Sequence, residues 1–73
     1  MGKTNIFTQI ENAFTYHEPK DGQPARYKHI RDKAKDLAHI INDQCPESRE
    51  KAVAITKLEE SVMWANAAIA RNE

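Results

Sequence analysis

The sequence predicts an all-α chain: a short N-terminal helix followed by a long antiparallel helical hairpin, assembled as a homo-oligomer. Three observations lead there. Helix-breaking residues are confined to two places, the stretch Pro19 to Pro24 and Pro46. The long segments after each break carry apolar residues at alternating spacings of three and four, which is the helical period. Large apolar side chains are scarce, since ten of the hydrophobic residues are alanine, leaving, besides Met1 and Cys45, seven Ile, two Val, two Leu, two Phe, two Tyr, Trp64 and Met63 in a chain of 73 residues. That set is thin for a self-sufficient core, and a chain this short ordinarily needs a disulfide, a metal or a partner subunit. Cys45 has no second cysteine to bridge to, and Cys45 with His17, His29 and His39 lacks zinc-ligand spacing, so no metal or other cofactor is expected and assembly is the remaining route.

The first helix is expected over about Asn5 to Thr15, with Thr4 as cap and Ile6, Phe7, Ile10, Ala13 and Phe14 as its apolar residues. His17 to Gln23 reads as a loop. The second helix is expected from about Pro24, acceptable in a first turn, to Asp43, with Tyr27, Ile30, Ala34, Leu37 and Ile41 as one seam. The third follows Cys45-Pro46-Glu47-Ser48, where Pro46 suits a first-turn position and Glu47 and Glu50 suit the positive end of the helix dipole. Its seam is Ile55, Leu58, Val62, Ala65 and Ile69, so the two long helices should fold back on each other across the Cys45-Pro46 turn. A second stripe on the third helix, Val53, Met63, Ala67 and Ala70 with Trp64 and Ala68 beside it, is more than one facing helix can cover. Met63 and Trp64 read as packing anchors for neighbouring subunits. Residues 1–73 form one helical-hairpin domain.

Charge and motifs narrow the function classes. Eleven basic and eleven acidic residues balance, which disfavours a general DNA binder. No apolar stretch approaches a leader or a membrane span, so a cytoplasmic protein without membrane contact is expected; Gly2 lacks the Ser or Thr that myristoylation wants, because Ile6 stands there. Phosphate-cradling glycine loops and metal-dependent hydrolase motifs are absent. Glu59 and Glu60 point about 100° apart on a helix and cannot share acid–base work. Cys45 is expected as a small, partly buried turn residue and not as a nucleophile. No catalytic residue is expected.

The basic residues are more informative on the helix. At about 100° per residue, Arg31, Lys35 and Lys28 fall along one border of the second helix's seam, with Arg26 and Lys33 on the other. A solvated face is the simpler reading. Tyr16 and His17, brought in by the end of the first helix, add an aromatic face and an imidazole; stacking on a base combined with cations on phosphate is the minimum set for a nucleotide ligand. Arg71, in the last turn of the third helix, is explained by the helix dipole without any ligand.

The run Cys45-Pro46-Glu47-Ser48-Arg49-Glu50-Lys51, continuing through Ala54-Ile55-Thr56-Lys57-Leu58-Glu59-Glu60 to Asn72, resembles a family of small phage proteins, the anti-CBASS cyclic-nucleotide sponges, related to those that counter Thoeris immunity. The resemblance extends upstream through Phe14-x-Tyr16-His17 and Tyr27-x-x-Ile30-Arg31-x-x-Ala34-Lys35. It implies a homohexamer of helical hairpins, acting in the cytoplasm of an infected bacterium, that captures cyclic di- and trinucleotides without cleaving them. It further implies that Tyr16 contacts a base and that Arg31 and Lys35 hold phosphates, with His17 as a lesser ligand. Some members bind cyclic trinucleotides at separate sites on the C-terminal helix, for which Arg71 is the nearest match. The competing expectation is a helical oligomeric protein-interaction or regulatory module with no nucleotide ligand.

Overall fold

The computed structural model describes residues 6–73, which form α1 (Ile6–Phe14), α2 (Gln23–Gln44) and α3 (Arg49–Asn72), with no strand among the described residues. Gly2, Thr4 and Asn5 lie outside the described residues. α2 begins after Gly22, whose φ of 84° is left-handed. Nothing lies within 4 Å of where a Cβ would sit, so the demand for glycine there is conformational and not a matter of space. Pro24 occupies the first turn, as expected, because no N–H is needed there.

The turn between the long helices differs from the expectation in two ways. Pro46 is not in the first turn of α3. The helix starts at Arg49 because Ser48, in extended backbone, accepts the Lys51 N–H on Oγ at 3.1 Å and donates to the Pro46 carbonyl at 3.0 Å. A side-chain oxygen that satisfies an orphan helix donor fixes the start more strongly than a tolerated proline does. Cys45 is exposed and not partly buried; its N–H closes the last turn of α2 on the Ile41 carbonyl at 3.0 Å, and its extended backbone ends the helix. Lys51 then ties both sides of the turn, its Nζ reaching the Asn42 carbonyl at 2.9 Å and Glu47 Oε1 at 2.5 Å. That hydrogen bond holds the Glu47 carboxyl below its ordinary range.

α2 packs along α3 as an antiparallel hairpin. The α3 seam is as expected, with Ile55, Leu58, Val62, Ala65 and Ile69 all half-buried. On α2 the half-buried positions are Tyr27, Ile30, Ala34, Ala38 and Ile41, while Leu37 is 45% exposed. Ala38 replaces Leu37 because the helices close on the side of the small Ala34 and Ala38 side chains, turning the seam by roughly 20° towards Arg31. Among the described residues no hydrophobic side chain is buried. α1 leaves Ile6, Phe7, Ile10 and Phe14 exposed, and Met63 and Trp64 on α3 are 69% and 64% exposed. The radius of gyration, 15.7 Å, exceeds the roughly 11 Å of a compact domain of this length. No helix of the described residues is long and apolar enough to cross a membrane.

Candidate functional site

α1 stops at Phe14, so Tyr16 and His17 stand in the segment beyond its end and not in its last turn. His17 Nε2 donates to the Asn12 carbonyl at 2.8 Å, one of the carbonyls that a helix end leaves without an internal partner. The imidazole is thereby held half-buried, while the neighbouring Tyr16 is 80% exposed.

An open cavity of about 540 Å³ draws on three parts of the chain: Tyr16 and His17 from the connecting segment, Tyr27 and Arg31 from α2, Asn66 and Arg71 from α3. Four of the five expected ligand residues are therefore brought together. The fifth, Lys35, lines a different cavity of about 390 Å³ in the groove between the long helices, with Ala38, Leu58 and Val62 among its walls. Arg31 borders both. Tyr16 and Arg71, far apart in sequence, share a wall because the hairpin returns the end of α3 to the start of α2. Arg71 also reaches a smaller cavity of about 200 Å³ with Trp64 and Asn72.

The cations around these cavities are not equivalent. Lys28 pairs with Asp32 at 2.6 Å, and that hydrogen bond, followed by the charges of Lys28, Arg31 and Lys35, holds the Asp32 carboxyl below its ordinary range. Arg31, Lys35 and Arg71 make no ion pair among the described residues. The basic border of α2 thus reduces to Arg31 and Lys35 as charges open to an anion. Arg31 shares its cavity with the Tyr16 ring, so a stacking face and a charge-assisted hydrogen-bond donor stand in one place, with Lys35 in the adjoining groove.

Two features of the site escape sequence reasoning. Asn66 Oδ1 is buried with no hydrogen-bond partner, on an α3 stretch that is otherwise alanine and isoleucine; its only sequence signal is a polar residue interrupting the apolar stripe. The second is a polar latch across the open end of the hairpin. Gln23, 2% exposed, is the first residue of α2 and not part of the preceding loop. Its Oε1 accepts the Lys20 N–H at 3.0 Å and the Tyr27 hydroxyl at 3.4 Å, and its Nε2 donates to Glu73 Oε1 at 3.2 Å. Arg26 grips the same carboxylate with both terminal nitrogens, Nη1 donating to Oε2 at 2.7 Å and Nη2 to Oε1, while Lys20 Nζ donates to the Glu73 main-chain oxygen. The Arg26 and Gln23 hydrogen bonds lower the Glu73 carboxyl to about 2. These partners lie 47 to 53 residues apart, beyond the reach of any local pattern.

Comparison with curated proteins and with solved structures gives no match. The family described as "Acb2/Tad1, hairpin domain" matches residues 8–70, a span that begins within α1 and ends within α3. With the helical hairpin and nearly the whole chain accounted for, the protein belongs to the Acb2/Tad1 hairpin family, the anti-CBASS and anti-Thoeris sponges.

Proposed function

We propose that this chain is a phage anti-defence protein that binds and sequesters cyclic oligonucleotide messengers, without degrading them, in the cytoplasm of the infected bacterium. The observation that carries the reading is the convergence of Tyr16, His17, Arg31 and Arg71, from three parts of the chain, on one cavity in a member of a sponge family. The Tyr16 ring stacks a base, Arg31 takes phosphate with Lys35 beside it, and His17 lines the wall. Arg71 serves cyclic trinucleotides. The absence of a buried apolar side chain among the described residues supports a homo-oligomer, for which the family suggests a hexamer. We take residues 1–73 as one domain.

The test is incubation with cyclic di-AMP, cyclic di-GMP and a cyclic triadenylate, followed by filtration and heat release. A sponge returns the ligand intact; a hydrolase returns product, and a protein-interaction module retains nothing. Affinity should fall as salt rises, because exposed cations recognise phosphate charge. Arg31→Ala should weaken capture by about 1.5–3 kcal/mol, the range for hydrogen bonds to charged groups, with assembly retained. Loss of the oligomer in that variant would make Arg31 structural and remove it from the site.

A further inference from the structure

We infer that Glu73 is a positioning residue for capture: through Lys20, Gln23 and Arg26 it sets where the Tyr16–His17 segment sits, without touching the ligand. The inference rests on the capture reading above and adds a residue to it. The connecting segment has one anchor near each end. At its start His17 is tied to the Asn12 carbonyl at 2.8 Å. At its end Lys20 is held on three sides: its N–H by Gln23 Oε1 at 3.0 Å, its carbonyl by the Gln23 N–H at 3.0 Å, and its ammonium by the Glu73 main-chain oxygen.

Among the described residues, every hydrogen bond from the second anchor towards the end of α3 ends on Glu73. Gln23, the sole buried residue among those described, donates to its carboxylate, and Arg26 grips that carboxylate with two nitrogens. A cavity of about 360 Å³ lies directly between latch and segment, lined by Tyr16, His17, Lys20, Ala70 and Glu73. Glu73 is not a wall of the larger cavity that gathers Arg31 and Arg71. It therefore acts on that cavity through the segment. Without the carboxylate, Gln23 and Arg26 lose their hydrogen bonds to Glu73 and, towards α3, Lys20 keeps only the bond of its ammonium to the main-chain oxygen, so the segment samples positions in which Tyr16 no longer shares a cavity with Arg31. An observed affinity falls in proportion to the fraction of molecules that remain competent.

The alternative is that Arg26 and Lys20 are themselves phosphate ligands, masked by Glu73 as an internal anion; for Glu73→Ala the two schemes predict opposite signs. The experiment compares the intact protein with Glu73→Ala, Arg26→Gln and the exchanged pair Arg26→Glu with Glu73→Arg. Capture of cyclic di-AMP and cyclic di-GMP is measured by calorimetry at two salt concentrations, assembly by sedimentation, and amide exchange at Lys20 and Gln23 without ligand. Positioning predicts affinity lowered about tenfold in both single variants. Salt dependence and sedimentation should be unchanged, amide exchange at Lys20 faster, and affinity largely recovered in the exchanged pair. Unchanged or tighter capture by Glu73→Ala would overturn it, as would a collapse of the oligomer in both single variants. If the intact protein captures neither probe, the capture reading falls and takes the positioning role with it, while the exchange data still decide whether the latch holds the segment.

Discussion

In the proposed capture reading Tyr16 is the residue on which recognition turns, since its ring is 80% exposed beside a cavity that also offers two guanidinium groups. If the ring stacks a base it contributes ~1–3 kcal/mol. Tyr16→Phe should then bind cyclic dinucleotides nearly as well as the intact protein, and Tyr16→Ala should lose that amount, as measured by titration calorimetry. Equal damage from both would assign the contact to the hydroxyl. Glu73 makes a prediction of a different kind. Its carboxyl lies at about 2 when folded against an ordinary 4.5, so its contribution to stability is complete above the ordinary value and is lost as pH falls through the folded one. A carbon-detected titration should show Glu73 ionised throughout the interval between those values, and Arg26→Gln should move the midpoint back up. A midpoint near 4.5 in the intact protein would mean that Arg26 does not grip the carboxylate. Arg31 and Tyr16 were legible in the sequence because helix phase and a neighbouring loop break suffice to find them. Gln23 and Glu73 were not, since their roles depend on how far α3 runs before it meets α2 again.

At the scale of elements, α3 carries more apolar surface than α2 can cover. Its inner seam, Ile55 to Ile69, was readable from spacing alone because branched residues recur there at strict intervals. The α2 seam was readable only to within one position, because Leu37 and Ala38 both border it and only the closeness of the two helices selects the alanine. The start of α3 was misplaced for a similar reason: Pro46 and Ser48 are both start signals, and the hydrogen bond to Lys51 decides between them. The outer stripe leaves Met63 and Trp64 mostly exposed in one chain, and in the proposed homo-oligomer it is the surface that a neighbouring subunit covers. A charge placed there tests it. Met63→Glu should shift the sedimentation coefficient towards that of the 8.4 kDa monomer, since an unpaired charge at a buried contact is strongly unfavourable. An unchanged coefficient would show that the stripe faces solvent in the assembly.

For the whole molecule, the lack of any buried apolar side chain among the described residues means that a single hairpin has little to hold it folded. Its stability should therefore depend on the concentration of protomers. Scanning calorimetry across a hundredfold range of protein concentration should show Tm rising with concentration; a constant Tm would establish that one chain stands alone. The turn lysine described earlier bears on the same question through its chemistry. Lys51 has a side chain only 9% exposed and an ammonium engaged by two acceptors, whereas Lys28 and Lys57 are more than two-thirds exposed. An amine so held is a poor nucleophile, because it must shed both hydrogen bonds and a proton before it can attack an acylating reagent. Lys51 becomes reactive only when the Asn42 carbonyl and Glu47 release it, and the Asn42 bond spans the turn, so loosening of the turn should speed that release. Its acylation rate, relative to that of Lys57 on the same helix, should therefore rise whenever the turn loosens, a readout of the hairpin's closed end that needs no added probe.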